Sequence, residues 1–254
     1  MDSSILVIIP AYNEEDSLSS VIDSVRVNAP FADIVVVNDG SIDATPSIAR
    51  AKGVVLLDLP YNLGIGGAVQ TGYKFAQEQG YDVTVQVDGD GQHPAEAIPE
   101  LVSRLQARQA DMVVGSRFVS GRSDYRVPFT RLVGIKILAG VISLLSRQPI
   151  TDPTSGFRAA NRDVIRLLAR MYPRDYPEPE AIVLLRKEGY SIAEVAVEMN
   201  PRVGGTSSIT LLDGLFYIVK VLLAVAIDVV KPPSGLQRSA RYASSSIQSE
   251  EETA

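Results

Sequence analysis

Val83-Thr84-Val85-Gln86-Val87-Asp88-Gly89-Asp90-Gly91-Gln92-His93-Pro94 is the stretch from which this chain is read. Apolar and β-branched residues run up to an abrupt acidic turn, the pattern of a buried strand whose C-terminal end carries two carboxylates. With Asp-x-Asp spacing at a strand's end, Asp88 and Asp90 can converge on one hard cation, Mg²⁺ or Mn²⁺. Gln92 offers a third oxygen. Gly89 and Gly91 let the backbone turn beneath a ligand. Alone, Asp-Gly-Asp is equally a solvated turn, so its meaning depends on what stands beside it.

Working outward, strands and helices alternate. Ile5 to Ile9 is a continuous apolar run, as in a buried parallel strand. It ends in Pro10-Ala11-Tyr12-Asn13-Glu14, and apolar residues at helical spacing follow from Ser17 to Val25. Ile34 to Val37 is a second strand ending in Asn38-Asp39-Gly40-Ser41-Ile42-Asp43, with a helix from Ala44 to Lys52. Val54 to Leu57 is a third strand, and a glycine-rich turn at Gly64 leads into a helix reaching about Gln79. The strand into Asp88 is the fourth, Ile98 to Arg108 a helix, and Met112 to Gly115 a fifth strand. This alternation implies an α/β fold of parallel β-α-β units. Ligands of such sheets bind at the carboxyl ends of the strands. Tyr12/Glu14, Asn38/Asp39 and Asp88/Asp90 all fall there, and three such clusters on one edge are hard to explain as plain loops.

Composition narrows the classes. A net charge of -6 argues against a nucleic-acid binder. The absence of cysteine excludes disulfides, thiolate metal sites and a cysteine nucleophile, and a single histidine, His93, excludes a multi-histidine metal site. Strand-like sequence begins at Ile5 with no basic n-region before it, so a cytoplasmic location is expected. Gly64-x-Gly66-Gly67 resembles a dinucleotide fingerprint only superficially. It follows the third strand rather than the first and has the wrong spacing, which speaks against hydride transfer.

Three segments, Ile8 to Glu14, Val37 to Asp43 and Asp88-Gly89-Asp90, together resemble family 2 glycosyltransferases of the GT-A type, over roughly residues 5–205. Asn62-Leu63-Gly64, Asp90-x-Gln92-His93-Pro94, Gly115 to Phe118 and Thr151 to Arg158 are most similar to polyprenyl-phosphate sugar synthases of the dolichol-phosphate mannose synthase type. The resemblance implies a GT-A, Rossmann-like, mostly parallel sheet flanked by helices. It also implies transfer from a nucleotide-diphosphate sugar (GDP-mannose or a UDP-hexose) to a polyprenyl phosphate. Pro10, Tyr12, Glu14 and Asp39 are expected to line base and ribose, alongside Asn38 and the Gly64 turn. Asp88, Asp90 and Gln92 are expected to hold Mg²⁺ or Mn²⁺. Arg117, Arg131 and Arg202 are expected to clamp phosphates, because guanidinium matches phosphate bidentately.

One stretch departs from the family pattern. Many members carry an acidic pair before a helix in the second half, whose carboxylate deprotonates an acceptor hydroxyl. Here the stretch is Asp175-Tyr176-Pro177-Glu178-Pro179-Glu180, with the helix expected from Ile182 to Glu188. Glu178 falls near the base position. A phosphate acceptor needs no base, whereas a saccharide hydroxyl does, so both acceptors stay open. A non-catalytic binding or scaffold protein of the same fold is the reading from another class.

Phe129 to Ser146 is expected to form a largely apolar helix at a bilayer surface or in the core. Leu211 to Val230 is interrupted by Asp213, Lys220 and Asp228. Its narrow polar stripe suits a helix lying in the membrane interface rather than crossing it, with a packed terminal helix or a homodimer contact as the alternative. The expected organisation is a GT-A domain over 1–208, an amphipathic helix over 209–231 and a disordered polar tail over 232–254, the whole peripheral on the cytoplasmic face of the membrane.

Overall fold

A computed structural model of the chain describes residues 3–119, 129–201 and 220–224. The strands are β1 (Ile5–Ala11), β2 (Asp33–Asn38), β3 (Val55–Asp58), β4 (Val83–Gln86), β5 (Met112–Ser116), β6 (Arg158–Asn161) and β7 (Ile192–Ala196). The helices are α1 (Leu18–Asn28), α2 (Thr45–Ala51), α3 (Ile65–Gln79), α4 (Ile98–Gln106), α5 (Phe129–Ser146), α6 (Arg162–Met171) and α7 (Pro177–Lys187).

The strands form one sheet in the order β3-β2-β1-β4-β6-β5-β7. The five strands expected from the apolar runs are all present, and β1 pairs in parallel with β2 and β4. The sheet is mostly parallel, as expected, and its antiparallel member is β6, which lies between β4 and β5. β6 (Arg-Ala-Ala-Asn) and β7 have no apolar run to announce them. Their strand state comes from neighbours supplying ladder hydrogen bonds on each side of β6 and along β5. α7 begins five residues before the expected helix start at Ile182, because Pro177 and Pro179 sit in its first turn, where missing N–H groups break no helical bond.

Both faces of the sheet are covered. One core joins Leu6, Ile8, Val35 and Ala160 to α3, α6 and α7 through Tyr73, Leu168 and Ile182. The other joins Val7, Ile9, Val85 and Phe157 to α1 and α4 through Ile22 and Leu101. Each large apolar side chain buried this way contributes about 1.5–3 kcal/mol. α3 lies close on β1 at Gly72, where a Cβ would meet Ile8 Cγ2 at 2.4 Å. Asn161 ends β6 and caps α6 at once, accepting from the N–H groups of Asp163 (3.1 Å) and Val164 (3.0 Å).

Of the expected 211–230 helix, residues 220–224 are described, and they are helical. The rest of it, the tail from 232 and Arg202 lie outside the described residues. Among the described residues no helix is long and apolar enough to cross a membrane.

Candidate active site

The strand ends expected to gather do so through backbone hydrogen bonds. Gly89 N–H donates to Pro10 O (3.2 Å), and Asp39 N–H to Ala11 O (2.9 Å). The turn after β4 and the end of β2 are thereby stitched to the end of β1. Ser17 Oγ donates to Gly89 O at 2.6 Å and lies 3.0 Å from Glu14 Oε2. Asn13 takes a left-handed conformation (φ 54°), and its side chain accepts from Ile42 N–H. Tyr12 stands beside it with its ring half-exposed.

Asn38 and Asp39 are buried and tied to the loop before α3. Asn38 Nδ2 donates to Asp58 Oδ1 (2.7 Å), and Asp39 Oδ1 accepts from Leu63 N–H (2.7 Å). The close approach requires a glycine at 40, with φ +70°, where a Cβ would lie 2.7 Å from Asn62 N. The chain then enters α3 from Gly64 (φ 80°). Pro10, Tyr12, Glu14, Asn38, Asp39 and Gly64 thus frame one continuous rim, and Asp88 follows on its β4 side.

Asp88 is fixed from several directions. Its N–H donates to His93 Nδ1 (2.9 Å), which leaves the ring proton on Nε2, 3.6 Å from Asp88 Oδ2. His93 is buried and stacked on Phe157, with ring centroids 5.1 Å apart. Gln86 Nε2 donates to Asp88 Oδ1 (3.1 Å). Gly156 lies directly against the carboxylate, so a Cβ there would stand 3.1 Å from Asp88 Oδ2. Asp90 Oδ1 accepts from Gln92 N–H (3.0 Å), and Gln92 O accepts from Asn200 N–H (2.9 Å). Among the described residues no three His, Cys, Asp or Glu side chains form a ready-made metal cage. The turn after β4 carries two carboxylates, Asp88 and Asp90, and the Gln92 amide, oxygen donor types rather than a closed cage. That fits Mg²⁺ or Mn²⁺, which commonly completes its shell with water and substrate phosphate.

Arg117, expected as a phosphate clamp, makes an internal ion pair. Its Nε and Nη2 donate to Asp152 Oδ2 and Oδ1, each at 2.7 Å, and Nη2 also reaches Thr154 Oγ1 (2.7 Å). Asp152 is completely buried. These donors are engaged with an internal carboxylate. Glu194 of β7 supports the same loop by accepting from the N–H groups of Thr151 (2.8 Å) and Asp152 (2.9 Å). Arg131 lies in the first turn of α5, and its side chain, like all of Arg202, lies outside the described residues.

Glu178, in the first turn of α7, is half-buried. Burial pushes its carboxyl above the usual carboxylate range, the Arg158 charge partly opposes this, and the Asp88 charge adds to it. Tyr73, buried beside Arg158, is pushed up to about 12 by loss of solvent. Reading by sequence position did not assign roles to Gln86, Asp152, Arg158 or Glu194. A charge within Phe157-Arg158-Ala159-Ala160 was the available signal for Arg158.

This sheet, with its helices on both faces and one antiparallel strand beside β4, is an α/β fold of the GT-A type. The chain belongs to glycosyl transferase family 2, whose domain matches residues 6–168. It is 31% identical over 216 residues to UDP-N-acetylglucosamine–dolichyl-phosphate N-acetylglucosaminyltransferase of Methanococcus voltae, covering 78% of this chain and 86% of that protein. It is 36% identical over 173 residues to undecaprenyl-phosphate mannosyltransferase of Micrococcus luteus, covering 65% and 69%. Polyprenol monophosphomannose synthase of Mycolicibacterium smegmatis is 31% identical over 214 residues, covering 81% and 80%. The crystal structure of glucosyl-3-phosphoglycerate synthase from Mycobacterium tuberculosis with Mn²⁺, UDP and glucosyl-3-phosphoglycerate superposes with a TM-score of 0.66. Its identity is 21%, over 93% of this chain and 83% of that one, a likeness of fold. The expected resemblance to polyprenyl-phosphate mannose synthase-like enzymes is borne out.

Proposed function

We propose that this glycosyltransferase moves a sugar, with inversion, from a nucleotide-diphosphate sugar to a polyprenyl phosphate at a membrane surface. The observation that carries this reading is the Asp88/Asp90/Gln92 oxygen set at the end of β4, continuous with the polar rim of β1 and β2. The relatives support the acceptor class, since their names specify dolichyl, undecaprenyl and polyprenol phosphates. Asp88, Asp90 and Gln92 would hold Mg²⁺ or Mn²⁺, and the bound cation stabilises the departing diphosphate as a Lewis acid. Tyr12 offers its half-exposed ring to the base. Asn38 and Asp39 shape the loop that bounds the nucleotide, and Glu14 flanks the turn at Gly89. A phosphate acceptor is already anionic near neutral pH, so attack on the anomeric carbon needs no proton removal.

The membrane reading rests on α5, where Val133, Ile137 and Leu144 are exposed at helical spacing on one side. Arg131, at the start of that helix, and Arg202 are proposed to meet the acceptor phosphate. Asp90→Ala should abolish transfer while circular dichroism shows an intact fold. Wild-type turnover that is indifferent to EDTA would overturn the metal assignment.

A saccharide-hydroxyl acceptor is the second reading, favoured by one observation: the carboxyl pKa of Glu178, in the first turn of α7, is raised by burial and also by the Asp88 charge. Glu178→Gln should leave transfer to a polyprenyl phosphate nearly unchanged. A loss as deep as that of Asp90→Ala would favour the hydroxyl acceptor.

A further inference from the structure

Arg158 opens β6 and is buried to 1% exposure, among the largest fully buried side chains of the protein. Burying an arginine is unfavourable by several kcal/mol unless its donors are used. Here they are turned on one loop. Nε donates to Ser155 O (2.8 Å) and Nη2 to Pro153 O (3.4 Å), while Nη1 is buried without a hydrogen-bond partner. The forked guanidinium spans two carbonyls two residues apart, which a lysine ammonium does not reproduce.

The loop so gripped, residues 151–156, is pinned along its length. Arg117 holds Asp152 and Thr154, Glu194 holds the N–H groups of Thr151 and Asp152, and Ser155 Oγ donates to Gly115 O at 2.6 Å. Its last residue, Gly156, rests on Asp88 and Gln86, within 3.1 Å and 3.0 Å of where a Cβ would stand. Arg158 also stands directly opposite Gln86 in the β4–β6 ladder, and Gln86 is the residue that holds Asp88 Oδ1. Two of the structures bounding the Asp88 carboxylate, the loop over it and the glutamine beside it, therefore lie against Arg158, while His93 flanks it from another side.

We propose that Arg158 is a positioning residue for Asp88, setting the affinity for the divalent cation through the height of the 153–156 loop without touching substrate. This rests on Asp88 and Asp90 being metal ligands. Groups that orient metal ligands typically change affinity by about 10–100-fold when altered.

The test is Mn²⁺ titration followed by electron paramagnetic resonance, with Mn²⁺ alone and with Mn²⁺ plus UDP or GDP, on the full chain. Asp90→Ala should lose binding, whereas Mn²⁺ binding unaffected by that change overturns the metal assignment and this role with it. Given that loss, Arg158→Lys should weaken Mn²⁺ by about tenfold or more. Its KM for Mn²⁺ should rise while kcat at saturating Mn²⁺ stays near wild type. A folded Arg158→Lys that binds Mn²⁺ within about twofold of wild type overturns the proposal while the metal reading stands. Should Arg158→Lys fail to fold, Gly156→Ala decides, because it presses on Asp88 from the loop side with Arg158 intact. About tenfold weaker Mn²⁺ binding supports the proposal, and unchanged binding overturns it.

Discussion

Arg117→Met separates a phosphate clamp from an internal brace. The guanidinium makes two 2.7 Å charge-assisted bonds to Asp152, whose carboxylate is completely buried. Methionine keeps much of the apolar stem but leaves that carboxylate with only the backbone N–H of residue 117 and the Thr154 hydroxyl, each at 3.1 Å. Removing one partner of a buried pair destabilises by about 3–5 kcal/mol. For a domain of this size each kcal/mol lowers Tm by about 2–4 °C, so a drop of roughly 6–20 °C is expected. Arg117→Met with Asp152→Leu should recover most of it, because a well-packed apolar replacement of both partners is often neutral. Urea unfolding of wild type, both single variants and the double variant gives the coupling energy directly. A single Arg117→Met variant with unchanged Tm and a sharply raised KM for donor or acceptor would refute the brace and restore the clamp.

Two further outcomes follow from particular contacts. The Glu178 carboxyl binds its proton more tightly folded than unfolded, so stability falls as pH rises from the ordinary carboxylate value through the raised one. Glu178→Gln should therefore have a higher Tm than wild type at about pH 8, with the gap closing towards about pH 4, and a gap independent of pH would sink this assignment. Gly66→Ala should destabilise by about 1–3 kcal/mol or more, because its Cβ would sit 2.6 Å from Pro173 O and 2.7 Å from Arg174 O, both backbone atoms. Denaturation unchanged within about 0.5 kcal/mol would show that α3 and the 173–174 segment are not in rigid contact.

The first half of the sheet is legible because its strands are buried on both faces. Ile5 to Ile9 and Ile34 to Val37 have no polar face to interrupt the apolar run, so composition alone marks them. Polar residues that end such runs must then lie at the carboxyl edge, which is why Tyr12, Asn38, Asp88 and Asp90 were recognisable as a set. β6 carries no such mark. Arg-Ala-Ala-Asn has neither a branched apolar residue nor an alternating pattern, and it is a strand because β4 and β5 leave a gap that its small residues fill. The Arg117–Asp152 pair carries no such mark either, since Asp152 lies 35 positions away and only the fold brings it close.

These illegible parts share one consequence for the site. Running β6 antiparallel brings its beginning, not its end, to the carboxyl edge of β4, so Arg158 faces Gln86 while Asn161 faces Val83. The residues just before β6 therefore arrive at the acidic turn, and Gly156 meets Asp88 there. A parallel strand in the same place would have delivered the residues after Asn161, which instead begin α6. The reversal of one four-residue strand thus decides which loop bounds the Asp88 carboxylate. It also places the two arginines, Arg117 and Arg158, where they grip that loop at its start and its end.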